Sequence, residues 1–180
     1  MQQQRSSSAL LLVDLQVGLF DGPEKPYRAE QLLENANLLI SKARENGVPI
    51  FAARHTGPVG SPIEAGSVNW QLTPKIAFDP ARDIVFDKTR PSCFIGTPLL
   101  QHLHALHITQ LVIAGLKTQY CIDTTCRAAA EHGIQITLIA DAHSCMDTPL
   151  LPAETIIAHH NATLQGPFVK LADAHDFRFQ

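Results

Sequence analysis

The chain has 180 residues, 45% hydrophobic and 17% charged, with a formal net charge of -3. That length suits one domain, able to bury roughly 70% of the surface of its unfolded chain without a disulfide or metal staple. The balance argues against a disordered chain, and the absence of a Lys/Arg stripe argues against a sequence-independent nucleic-acid binder.

Residues 1–8, rich in Gln and Ser, read as a disordered tail without the charged start and apolar stretch of a secretory signal. Residues 9–180 read as a single domain. Ala9-Leu-Leu-Leu-Val-Asp14 is an apolar run ending in a carboxylate, the pattern of a central strand covered on both faces. Over residues 29–46, Leu32, Leu33, Ala36, Leu39, Ile40 and Ala43 follow a 3.6-residue period, and Gly47 is placed as a C-terminal cap. Residues 48–54 predict the second strand and residues 83–87 a shorter third. Between them, residues 56–82 hold four prolines and three glycines with weak periodicity. A structureless loop of that length is unusual, so a partly folded excursion is expected, lining a site or making an oligomer contact.

A helix is expected over residues 98–107, with Pro98 in its first turn. A fourth strand over 111–114 leads to a helix over about 120–132, closed by Gly133. A fifth strand over 134–140, a helix over 152–164 and a sixth strand over 168–171 complete the chain. No apolar run approaches the ~18 residues that span a bilayer. The alternation predicts an α/β fold, a three-layer α/β/α arrangement around a central, mainly parallel six-stranded sheet.

In such a sheet ligands bind beyond the carboxyl ends of the strands, where the strand order reverses. Asp14 ends the first strand, Lys88 follows the third and Cys121 lies past the fourth. In a 3-2-1-4-5-6 order Asp14 and Cys121 face one crevice, and Lys88 must reach in from further out. Cys121 stands near the N-terminus of a helix whose apolar face is Ile122, Thr125, Cys126, Ala129 and Ala130. Unpaired amides and the helix dipole favour thiolate there, and an ammonium such as Lys88 would lower the thiol pKa further. Asp14 would take the thiol proton and pass it to a leaving amine. Backbone amides in the turn 115–121 would hold a developing oxyanion.

Other residues carry competing readings. Cys93, Cys126 and Cys145 read as small buried hydrophobes. The four cysteines form no CxxC pair and show no zinc-ligand spacing, which suits free thiols in a reducing, cytoplasmic compartment. His102, His104 and His107 fall on a short helix, with His102 and His104 on different faces, so no metal cluster is expected. His55, at the mouth of the second strand, is a candidate substrate contact. Phe20 and Trp70 are candidates for an apolar pocket wall, with core or subunit packing as the alternative.

The chain resembles the isochorismatase-like cysteine hydrolases, which include nicotinamidases, N-carbamoylsarcosine amidohydrolases and ureidoacrylate amidohydrolases. The resemblance covers residues 9–169. It is carried by Leu-Val-Asp-Leu-Gln around Asp14, Arg-His-Thr-Gly-Pro-Val-Gly-Ser-Pro at 54–62 and Gly-Ser-Val-Asn-Trp-Gln-Leu at 66–72. Lys-Thr-Arg-Pro-Ser-Cys-Phe-Ile-Gly-Thr at 88–97 and the run 115–125 around Cys121 complete it.

The resemblance implies an Asp–Lys–Cys triad of Asp14, Lys88 and Cys121, attacking an amide-type carbon through an acyl-thioester. It implies a cis peptide at Leu116–Lys117, with the amides of Lys117 and Cys121 aimed at the oxyanion, no cofactor, a small-molecule substrate, and a homodimer or homotetramer. Nicotinamidases place an Asp-x-His metal pair where this chain has Ala53-Arg54-His55, which argues against a metal and against nicotinamide as substrate. A vinyl-ether hydrolase of the isochorismatase type is the alternative enzyme. A redox-sensing thiol protein pairing Cys121 with Cys126 is the non-enzymatic one, and their five-residue spacing on a helix argues against it.

Overall fold

The computed structural model describes residues 7–179. Six parallel strands form one sheet in the order β3-β2-β1-β4-β5-β6. They are β1 (Ser8–Val13), β2 (Ile50–His55), β3 (Ile84–Lys88), β4 (Gln110–Leu116), β5 (Gln135–Ser144) and β6 (Lys170–Ala172). The helices are α1 (Val17–Phe20), α2 (Ala29–Glu45), α3 (Leu99–Ala105), α4 (Asp123–Glu131) and α5 (Ala153–Leu164). Most of the expected tail, residues 1–6, lies outside the described residues. Ser8 is not tail: it opens β1, and its hydroxyl donates to Gln110 Oε1 at 2.8 Å.

The two-residue alternation of a strand sorts β1 between two cores. Leu10 and Leu12 join Ile50, Ala52, Val112 and Ala114 under α2, which contributes Leu32, Ala36, Leu39, Ile40 and Ala43. Leu11 and Val13 face the other way, with Phe51, Ile113, Leu99, Leu103, Ile122 and Cys126 from α3 and the α4 region. Each fully buried Leu or Ile is worth about 1.5–3 kcal/mol relative to exposure, so this division of one continuous apolar run creates the three layers. Among the described residues no helix is long and apolar enough to cross a membrane.

Two local features depart from the sequence expectation and shape the carboxyl edge of the sheet. The strand expected to stop at residue 140 continues to Ser144, with a register shift against β4 between Ile113 and Gly115. The excursion 56–82 folds back on the segment after β1: Val17 N donates to Gln71 O and Gly18 N to Asn69 O, both at 2.9 Å. Thr73 N donates to Leu15 O at the same distance. Gly115, opposite Val13, has φ 132°, and a Cβ there would stand 2.1 Å from Val13 O. Only glycine lets β4 approach β1 this closely.

Candidate active site

Asp14 is the first residue past β1. Its φ of 52° lies in the left-handed region that Asp tolerates better than most residues. Its amide donates to Ala53 O at 3.0 Å, and its carbonyl accepts from Gln16 N at 2.9 Å. Lys88 closes β3, two strands away, where it is in register with His55. Its buried side chain crosses beneath β2 to reach Asp14 Oδ2 at 2.9 Å and Cys121 Sγ at 3.2 Å. The reach that the sheet order demands is met by the length of the lysine side chain. Cys121 is the fourth residue of a π-helical turn, Thr118–Ile122, which runs into α4. The Leu116–Lys117 peptide before that turn is cis.

Lys88 Nζ also donates to Arg90 O at 3.2 Å and stands 3.3 Å from His55 Nδ1. Four acceptors therefore surround three ammonium protons. Since His55 Nδ1 faces a donor, the proton of the neutral ring sits on Nε2, for which no partner is found among the described residues. Asp14 Oδ1 is likewise buried without a hydrogen-bond partner. An unpaired buried carboxylate oxygen is costly, and here it is the open acceptor of the site.

The charges are set by burial and by one another. Burial pushes the Asp14 carboxyl up, against the pull of the Lys88 ammonium. Burial alone would lower Lys88, but the charge and hydrogen bond of Asp14 together with the nearby sulfurs of Cys93 and Cys121 outweigh it and hold the ammonium above its ordinary value. Burial and then Lys88 lower His55, which keeps the ring neutral. Burial pushes the Cys121 thiol up to about 12, with Asp14 adding to the rise and Lys88 only partly offsetting it. This corrects the expected thiolate: a sulfur this deeply buried beside a carboxylate stays protonated at neutral pH despite the ammonium.

A carboxylate oxygen of Asp14, a His55 nitrogen and Cys121 Sγ all lie within 4.8 Å of one another, a spacing that could hold a metal ion. The donor set does not fit one, because the Lys88 ammonium bonds to all three at the point where they converge. In the second strand, the position that would need a carboxylate to complete a metal pair holds Ala53, which is buried.

Above these groups lies a cavity of about 320 Å³, lined by Asp14, Gln16, Leu19, His55, Ile63, Pro91, Lys117, Tyr120 and Cys121. His55 is at its wall, as the sequence reading placed it. Phe20 is not: α1 turns it away into the core beneath α2, beside a separate cleft, and Leu19 takes the place at the wall. Trp70 stands behind the wall. Its indole N–H donates to Thr56 Oγ1 at 2.8 Å, the Arg54 guanidinium lies 3.6 Å from its ring centroid, and its carbonyl accepts from Gln16 Nε2. Gln16 also donates to His55 O and accepts from His55 N, so it pins the end of β2.

Sequence reasoning did not single out Gln16, Leu19, Ile63, Pro91 or Tyr120. Gln16 and Pro91 lie inside quoted motifs and were legible there. Ile63 carries no local pattern, because the folding of the excursion brings it in. The histidines at 102, 104 and 107 lie elsewhere, and His102 packs against Phe51 with ring centroids 6.0 Å apart.

Comparison with known proteins agrees with this architecture. Residues 8–160 match the isochorismatase domain family model. A streptothricin hydrolase of Streptomyces noursei is 31% identical over 144 residues, which is 80% of this chain but 52% of that protein. The chain thus spans about half the length of that relative. Nicotinamidase 3 of Arabidopsis thaliana is 25% identical over 189 residues, covering 95% of this chain and 87% of that protein. The crystal structure of an isochorismatase from Pseudomonas putida KT2440 superposes with a TM-score of 0.89 at 27% identity, covering 95% of this chain and 90% of that one. With a family model matched over residues 8–160, most of its length, the chain belongs to the isochorismatase family.

Proposed function

We propose that the protein is a cysteine-dependent hydrolase that cleaves a carbon–nitrogen bond of a small amide, ureide or carbamoyl compound. The observation that carries this reading is the contact of Lys88 Nζ with both Asp14 Oδ2 and Cys121 Sγ at the floor of the cavity, beside the unpartnered Asp14 Oδ1.

With the thiol protonated in the resting site, attack and deprotonation go together. Asp14 takes the thiol proton as Cys121 Sγ forms its bond to the carbonyl carbon. Lys88 remains an ammonium throughout and stabilises the negative charge as it shifts between carboxylate and sulfur. The amides of Lys117 and Cys121 receive the carbonyl oxygen as it becomes an oxyanion. Collapse breaks the C–N bond, Asp14 returns its proton to the leaving nitrogen, and an acyl-thioester remains. Water then attacks that thioester while Asp14 accepts its proton, and the thiol is restored. His55 Nε2–H is a neutral side-chain donor at the wall and contacts the substrate. Nicotinamidase, an amide hydrolase by name, supports the bond class.

The test is ammonia release from a panel of small amides, ureides and carbamoyl compounds, by wild type and Cys121→Ala side by side. Release by wild type alone is expected. Equal ammonia release by Cys121→Ala would sink the cysteine mechanism, and silence of both proteins across the panel would favour vinyl-ether hydrolysis, which the resemblance to an isochorismatase makes the second candidate.

A further inference from the structure

The π-helical turn carrying Cys121 is tied to the rest of the protein by a buried histidine that none of the steps above uses. Thr118, the first residue of the turn, is fully buried, and its Oγ1 lies 2.9 Å from Nδ1 of His143 on β5. His143 Nε2 lies 2.8 Å from Asn161 Oδ1 on α5. An amide oxygen only accepts, so Nε2 carries the ring proton. Nδ1 then accepts, and the Thr118 hydroxyl donates. Burial keeps the ring neutral, pushing its pKa down to about 4 although the Asn161 bond works the other way. The chain therefore runs in one direction, from the Thr118 hydroxyl through His143 to the Asn161 carbonyl.

Nothing in packing alone requires these groups here. Thr118 and His143 are polar side chains held in the interior where an apolar pair would avoid desolvation, and the half-buried Asn161 accepts at the end of the chain. The extension of β5 past the register shift is what brings His143 opposite Gly115, at the start of the turn. Thr118 follows Lys117 directly and lies three residues before Cys121, so its anchoring sets where both amides stand.

We propose that His143 is a positioning residue for the oxyanion site: through Thr118 it fixes the turn whose Lys117 and Cys121 amides receive the carbonyl oxygen. The inference rests on the proposed addition of the Cys121 thiol to a carbonyl, but not on which bond is then cleaved. Removing one oxyanion donor outright lowers rates about 100- to 1,000-fold. A donor left in place but displaced by about half an ångström is expected to lose roughly 10-fold or more.

Propionaldehyde provides a test that needs no knowledge of the substrate. The Cys121 S–H adds across its C=O: an S–C bond forms, the C=O π bond opens, and the oxygen takes up the thiol proton by way of Asp14. The product, a hemithioacetal, places its oxygen at the oxyanion site. Alkylation by iodoacetamide displaces iodide and uses no such site. Full-length wild type, His143→Leu, Thr118→Val and Thr118→Ser are compared for mass-resolved alkylation rate at Cys121 and for protection from it by propionaldehyde.

The expected result is an alkylation rate within about twofold in all four proteins, with aldehyde affinity about 10-fold weaker in His143→Leu and Thr118→Val. Thr118→Ser, which keeps the hydroxyl, restores the affinity. Unchanged affinity in Thr118→Val overturns the proposal, as does a parallel fall of affinity and alkylation rate, or absence of protection in wild type. If His143→Leu does not fold, the Thr118 pair decides alone. Aldehyde binding that depends on Thr118, without turnover of any amide, would refute the C–N reading and leave this inference standing.

Discussion

Lys88→Met replaces the buried ammonium by a side chain of similar length and leaves the Asp14 carboxyl in place without its partner at 2.9 Å. Breaking a buried pair in this way costs about 3–5 kcal/mol while the remaining charge persists. Asp14 has a second option, which is to bind a proton. Its folded pKa is already raised by burial, and removing the ammonium raises it further. A carboxyl whose folded pKa exceeds its unfolded value of about 3.9 contributes stability below that value and loses it as pH rises toward the folded pKa. The loss is about 1.4 kcal/mol per pH unit. That slope is the ceiling for one titrating group, and the cost of a broken pair, about 3–5 kcal/mol, is the ceiling for the whole loss.

In wild type the ammonium restrains the same rise, so the gap between the two proteins widens with pH. With a urea m-value of about 2 kcal/mol/M, the difference in midpoint should grow by up to about 0.7 M per pH unit. Urea titrations of both proteins at pH 5, 6, 7 and 8 read this directly, and charges common to both cancel in the difference. A constant offset across the four pH values would refute the argument, because it would mean that Asp14 does not titrate against Lys88. The variant should also retain no more than about 1% of wild-type turnover, because an Asp14 left protonated cannot act as the base, a role usually worth about 100- to 10,000-fold.

The protonation state of Cys121 makes a second prediction. With its thiol pushed up to about 12, alkylation by iodoacetamide should rise about 10-fold per pH unit from pH 6 to 9 with no plateau. A plateau near neutral pH would mean a preformed thiolate. Asp14→Asn removes the proton acceptor while keeping the shape, and kcat should fall about 100- to 10,000-fold; full activity would rule Asp14 out. Gly115→Ala places a Cβ 2.1 Å from Val13 O at a φ of 132°, so β1 and β4 must part beside Asp14. A loss of more than about 2 kcal/mol in urea unfolding is expected, and a stability within 0.5 kcal/mol of wild type would contradict the contact.

The sequence carried the architecture because its information is local and periodic. The run Ala9-Leu-Leu-Leu-Val reads as a strand buried on both faces, and the spacing of Leu32, Ala36, Leu39 and Ala43 reads as one helical face. Asp14, Lys88 and Cys121 were legible as strand-end residues of types able to cooperate, inside motifs that also contain Gln16 and Pro91. α1 was not legible, since four residues without a capping side chain give no pattern, and its turn decides that Leu19 rather than Phe20 meets the cavity.

Tertiary structure alone decided the rest. Whether Lys88 reaches Asp14 depends on strand order and on a side chain crossing beneath β2, distances that no spacing along the chain encodes. Ile63 joins the wall only because the 56–82 excursion folds back on the segment after β1. The length of β5, and with it the place of His143 beside the π-helical turn, follows from a register shift against β4. The thiol shows the difference most clearly. Sequence supplies the helix end and the lysine, both of which lower a thiol pKa. Burial and the carboxylate across the sheet raise it more, because the penalty for a charge depends on all the atoms that replace water around it.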